Sequence, residues 1–92
     1  MADGRAVLTV LGVDRVGIVA RVTTVLAELQ VNIEDIRMAL LGDVFTMIAM
    51  VNVGGSTASF GDIQAALNDA GTALGVQVML QREETFRVMH RV

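Results

Sequence analysis

Leu11-Gly12-Val13-Asp14-Arg15-Val16-Gly17-Ile18-Val19-Ala20 is the stretch on which the reading turns. Before it, Ala6 to Val13 is a short apolar run rich in β-branched residues, the pattern of a buried strand. Asp14 to Gly17 breaks that run. Beyond it, apolar residues recur at Ile18, Val22, Val25 and Leu29, with Val19 and Leu26 beside them and Arg21, Thr24 and Glu28 opposite. That spacing predicts an amphipathic helix, with Asp14 as its natural N-cap. A strand, a glycine-bounded turn and a helix therefore follow one another.

Outward from this unit the signals continue. Val31-Asn32-Ile33 opens a second strand running to about Leu41. Ile33 fits one alternation phase, while Ile36, Met38 and Leu40 fit the other, so a bulge is expected near Glu34-Asp35. Gly42-Asp43 suits a two-residue hairpin turn. Val44 to Val53 is the third strand. Gly54 to Ser59 is a loop, and Phe60, Ile63, Leu67, Ala70 and Leu74 mark a second helix. Ser59 is expected to cap it, with Asp62 in its first turn and Gly75 at its end. Val76 to Arg82 is a fourth strand, and Glu83 to Val92 a tail read as a short helix. The order β-α-β-β-α-β predicts an α+β, ferredoxin-like sandwich. It has one four-stranded antiparallel sheet and two helices on one face, plus a short C-terminal helix. Residues 1–92 are read as a single domain, with its core at about 5–82 and a tail at 83–92.

Composition narrows the function classes. The chain has 92 residues, one small domain, of which 53% are apolar and 18% charged. Mean hydropathy is +0.60 and the pI about 4.8. That excludes a disordered tail. Net charge is −3, without the basic footprint of nucleic-acid binding. The aromatics are three Phe, so stacking platforms are poorly supplied, which disfavours an RNA-binding domain of this topology. Absence of Cys removes disulfides, thiolate metal sites and a ferredoxin-fold metal chaperone; absence of Lys removes a Schiff base. His90, the single His, rules out two-histidine metal motifs and reads as an exposed tail residue. No metal or cofactor is implied. No apolar run approaches the roughly twenty residues of a membrane span, and the start lacks a signal-peptide pattern, so the cytoplasm is the expected location.

With both helices on one face, the other sheet face should be polar if it met water. Val7, Leu11, Leu8 and Val10 in the first strand, and Thr46, Ile48 and Met50 against Phe45, Met47 and Ala49 in the third, make both phases apolar. The tail, with Phe86 and Met89, can cover only part of that face. A homo-oligomer is expected, most simply a C2 dimer.

Two clusters are candidate sites. At the Asp14–Gly17 turn the first helical N–H groups lack intrahelical partners, carry partial positive charge and can bind a carboxylate or phosphate. Gly12 and Gly17 would admit a ligand closely, and Arg15 adds charge. The same residues also suit a capped turn with Gly17 packed on the sheet. At the start of the second strand, Asn32 can both donate and accept, beside Glu34 and Asp35, though the cluster equally suits a polar bulge. Adjacent acids on a strand point to opposite faces, so no paired acid–base device is read there. The methionines fit core positions better than metal ligation.

These residues resemble a known family. Gly12-x-Asp14-Arg15-x-Gly17-Ile18-Val19, then Val31-Asn32-Ile33-x-Asp35-Ile36, is similar to an ACT domain over about residues 5–82. Phe45-Thr46-Met47 and the ending Glu84-Thr85-Phe86-x-x-Met89-His90-Arg91-Val92 resemble the small stand-alone ACT-domain proteins of bacteria and archaea. The glycine-rich piece is also similar to the ACT domains of formyltetrahydrofolate deformylase and glycine-cleavage regulators. The resemblance implies a regulatory module without catalysis that binds a small effector, often an amino acid, between two paired chains. It assigns the ligand to Asp14, Arg15, Val16, Gly17 and Ile18 of one chain and Asn32 and Ile33 of its neighbour. Val16 stands where many amino-acid-binding members have Pro. With no catalytic or DNA-binding domain in this sequence, the regulated protein would be a separate one. Two other classes compete: an interaction module without a metabolite ligand, and an acylphosphatase-like hydrolase using Arg15 and Asn32, for which no second polar group converges.

Overall fold

The computed structural model describes residues 4–89. Its elements are β1 (Arg5–Val13), α1 (Ile18–Glu28), β2 (Asn32–Leu41), β3 (Val44–Asn52), α2 (Phe60–Leu74), β4 (Gln77–Arg82) and α3 (Glu83–Met89). The strands form one antiparallel sheet in the order β2-β3-β1-β4, with α1 and α2 on one face. This is the expected ferredoxin-like βαββαβ arrangement, with the short C-terminal helix present. His90, expected to be an exposed tail residue, lies outside the described residues.

Register explains the burial pattern. Ala6, Leu8 and Val10 of β1 sit opposite Val51, Ala49 and Met47 of β3, and all six face the helices. Ile18, Val22 and Leu26 of α1 and Ile63 and Leu67 of α2 meet them in one apolar core. Three- and four-residue spacing puts these side chains on one stripe of each helix. Burying a side chain of this kind contributes roughly 1.5–3 kcal/mol.

Local chemistry closes the turns. Gly42 opens the β2–β3 hairpin at φ +62°, a conformation that costs a glycine nothing. The register slips between Ile33 and Asp35, the expected bulge, which returns Ile36 to the core-facing phase. Ser59 caps α2, its hydroxyl accepting from the Asp62 N–H at 3.1 Å, and Gly75 ends that helix at φ +74°. Helix α1 differs from expectation. Its N-cap is Gly17, at φ +96°, and no side chain caps it. Asp14 lies too far back along the chain; its own N–H donates to the Asp43 carbonyl at 2.7 Å and pins the turn to the β2–β3 hairpin.

The helix-free face divides into two halves. Over one half lies α3, which packs on β1 and β4 and leaves Val7 only 4% exposed. Arg5 of β1 pairs with Glu83 at the start of α3 at 3.7 Å, and the Arg87–Glu83 pair lies within α3 itself. The other half, toward the hairpin, is open.

Candidate functional site

The turn after β1 stands at the hairpin end of the sheet. Val13 is opposite Val44, which is opposite Leu41. Gly17 accepts the first helical hydrogen bond, from the Arg21 N–H at 2.9 Å. The N–H groups that begin α1 therefore face outward without an intrahelical acceptor. No acidic residue occupies the first turn and no side chain caps it. α2 is the contrast: Ser59 and Asp62 already occupy its N-terminus. An anion placed at α1 would meet both free donors and the positive end of the helix dipole.

The individual side chains play unequal parts. Val16 is fully exposed. Ile18 is buried in the core, so only its backbone N–H can meet a ligand. Arg15 donates from Nη1 to the Leu74 carbonyl at 2.7 Å, which places its charge on the C-terminus of α2. Gly12 is a packing glycine. A Cβ there would meet Val76 Cγ1 at 2.7 Å, so it admits β4's approach to β1 and offers nothing to a ligand. Gly17 does the reverse: a Cβ there meets nothing within 4 Å, and its requirement is the positive φ alone.

A cleft of about 260 Å³ opens beside the turn, lined by Asp14, Met38, Ala39, Leu40 and Phe45. Met38 and Leu40 are over half exposed although their phase faces the helices, because β2 is an edge strand that the helices do not reach. Sequence reasoning placed both in one strand phase and gave Met38 a core position; the signal for their exposure is the sheet order, which is not local. A larger groove, about 610 Å³, runs along the other edge between β4 and α2. Its lining residues, among them Gln64, Asn68 and Thr72, are all uncharged and belong to neither candidate cluster. The smaller cleft also has no cation, its one charged lining residue being Asp14, so attraction for a carboxylate there rests on the α1 N-terminus alone. The smaller cleft is the better candidate.

Asn32 and Ile33 are not near the turn. Asn32 is exposed and sits opposite Asn52, which is opposite Arg5, at the far end of the sheet. Eight residue steps separate Arg5 from Val13, roughly 26 Å of strand. Ile33 is half-buried against the core and shows a neighbour only part of its side chain. One chain thus does not bring its two candidate clusters together. Between them on β2, Asp35 accepts from the Ile36 N–H at 2.9 Å and from Arg37 Nη2 at 3.3 Å. The Arg37 guanidinium, then that backbone N–H, hold the Asp35 carboxyl below its ordinary value. Among the described residues no group of three His, Cys, Asp or Glu side chains could hold a metal ion, and no helix is long and apolar enough to cross a membrane.

A sequence profile described as the ACT domain matches residues 5–81, most of the chain. The chain belongs to the ACT domain family. Relatives of similar length fit the same assignment. A UPF0237 protein of the archaeon Methanopyrus kandleri is 48% identical over 88 residues, covering 96% of this chain and 98% of that one. A UPF0237 protein of Listeria monocytogenes is 44% identical, covering 96% and 99%. Among solved structures, an ACT domain protein from Streptococcus pneumoniae superimposes with a TM-score of 0.78 at 35% identity, over 89% of this chain and 92% of that one. ACT domains are in general regulatory ligand-binding modules, and nothing in these relatives points to catalysis. In this ACT domain the strand–helix turn and the start of β2 thus stand at opposite ends of the sheet.

Proposed function

We propose that this ACT domain is a regulatory module that binds a small molecule, an amino acid, as a homodimer, and acts on a separate protein. The ligand's carboxylate lies at the N–H groups of Val16 to Ile18. The turn of Asp14 and Arg15 shapes the cleft, and the partner's Asn32 and Ile33 close it, Asn32 reading the amino acid's backbone. The observation that carries this reading is the uncapped, acid-free N-terminus of α1, in a molecule whose other long helix is capped; the turn leading into it reaches the cleft through Asp14.

The 26 Å scale of the separation makes a two-chain site necessary if both half-sites serve one ligand. Antiparallel contact of two β2 edges about Ile36 would do this. It would set Asp35 opposite the partner's Arg37, an opposite-charge cross-strand pair. It would also bring the partner's Asn32 beside Leu40 and Leu41, next to the cleft. A ligand bridging two chains binds the dimer better than the monomer and so shifts that equilibrium.

The test is thermal unfolding and calorimetric titration with each of the twenty amino acids, on the unaltered chain and on Gly17→Val. At least one amino acid should raise the unfolding temperature, and Gly17→Val should abolish its binding. A Gly17→Val protein that binds with unchanged affinity would sink the site. No response to any amino acid would favour an interaction module without a metabolite ligand.

A further inference from the structure

We infer that the open half of the helix-free sheet face is a contact surface for a second copy of this chain, separate from the β2 edge. It goes beyond the ligand reading and does not depend on it.

Register lays out this surface as a grid. Leu41, Val44 and Val13 stand in one row across three strands. Leu11 lies in the next row, and Ile48 and Met79 flank Thr9 in the third. These six side chains are 74, 40, 61, 41, 42 and 51% exposed. On the same face Val7 is buried, because α3 covers that half and stops short of the hairpin. The exposed apolar area is on the order of 500 Å² per copy, at the upper end of what a monomer's largest patch shows. Two such patches in contact would bury roughly 1,000 Å², which reaches the lower limit for a specific interface.

The chemistry selects the occupant. The three rows contain no acidic residue, and their one cation, Arg37, sits at the border with its own Asp35 at 3.3 Å. A two-fold contact therefore sets apolar rows on apolar rows with no charge buried between them. An anionic bilayer or a nucleic acid would need a cluster of cations, whereas this surface has only Arg37, paired with Asp35, and the net charge of −3 opposes both. A β2-edge axis runs normal to the sheet and a face-to-face axis lies parallel to it; the two contacts together close into a tetramer where these axes cross.

Sedimentation velocity and light scattering on the full chain test this, with Ile48→Glu and Met79→Glu as face variants. Circular dichroism checks that each is folded. The expected mass is that of four copies, halved by either face variant. If the β2-edge reading fails while this one holds, the mass is that of two copies, and either face variant gives a monomer. Folded Ile48→Glu and Met79→Glu proteins of unaltered mass would overturn the inference. A measurement on the unaltered chain guards against variants that fail to fold. In a mixture of deuterated and protonated chains, cross-saturation should reach the methyl groups of Val13, Val44 and Ile48. Its absence there overturns the inference equally.

Discussion

Gly17→Ala isolates the backbone requirement of the candidate site. Gly17 holds φ +96°, and a Cβ there would have no atom within 4 Å. The substitution therefore adds no clash, and its whole cost is conformational. A left-handed backbone costs a non-glycine residue about 1–2 kcal/mol. Asn, whose short polar side chain bonds locally in this region, should recover much of that. For a domain of this length each kcal/mol moves the unfolding temperature by roughly 4–8 °C. Gly17→Ala should thus lower it by about 4–16 °C, and Gly17→Asn by clearly less. Urea unfolding followed by circular dichroism reads the same difference as a shift in midpoint at unchanged slope. Equal losses for Ala and Asn, or a loss for Ala too small to measure, would refute the argument that the turn is built on a positive φ in open space.

Gly12→Ala should be costly for the opposite reason, since its Cβ would meet Val76 Cγ1 at 2.7 Å; overpacking of this kind costs about 1–3 kcal/mol. A double-mutant cycle with Val76→Ala should show coupling above about 0.5 kcal/mol, and additivity would contradict the contact. Gln30 ends α1 at φ +60°, where glycine is the usual residue, so Gln30→Gly should stabilise the fold by about 0.5–1 kcal/mol in chemical denaturation. Asp35 titrates below its ordinary value of 3.8, beside the Arg37 guanidinium. Its contribution to stability is present above that value and lost as pH falls through the lowered one. Carboxyl NMR titration should show the depressed midpoint, and Arg37→Ala should move it up toward 3.8.

The sequence was most legible where the physics is local. Gly42 in the hairpin, the bulge before Asp35, Ser59 with Asp62, and Gly75 each answer a requirement met within a few residues, and each was found where the pattern put it. Asp14 misled because an acid just before a helical run usually caps it, whereas here the chain turns through Gly17 first and Asp14 bonds to Asp43, 29 residues away. Gly12 misled for a related reason: its partner, Val76, immediately precedes β4 and is adjacent only once β4 has paired with β1. Arg15 has the same history with Leu74. Nor could local pattern show that Asn32 and the Gly17 turn stand at opposite ends of the sheet. That follows from register across three strands. The apolar second face was legible as a surplus, but which half α3 covers was not.

The account's central claim is a site shared by two chains, and mixing two defective variants tests it most directly. Gly17→Val damages the turn, and Asn32→Ala damages the other half-site. Each alone should lose binding of the amino acid that stabilises the unaltered protein. Chains mixed and allowed to exchange should form heterodimers in which one of two sites is intact. Titration should then recover about a quarter of the unaltered stoichiometry, at full affinity, if the chains assort at random. A mixture that exchanges chains yet recovers no binding would contradict the shared site.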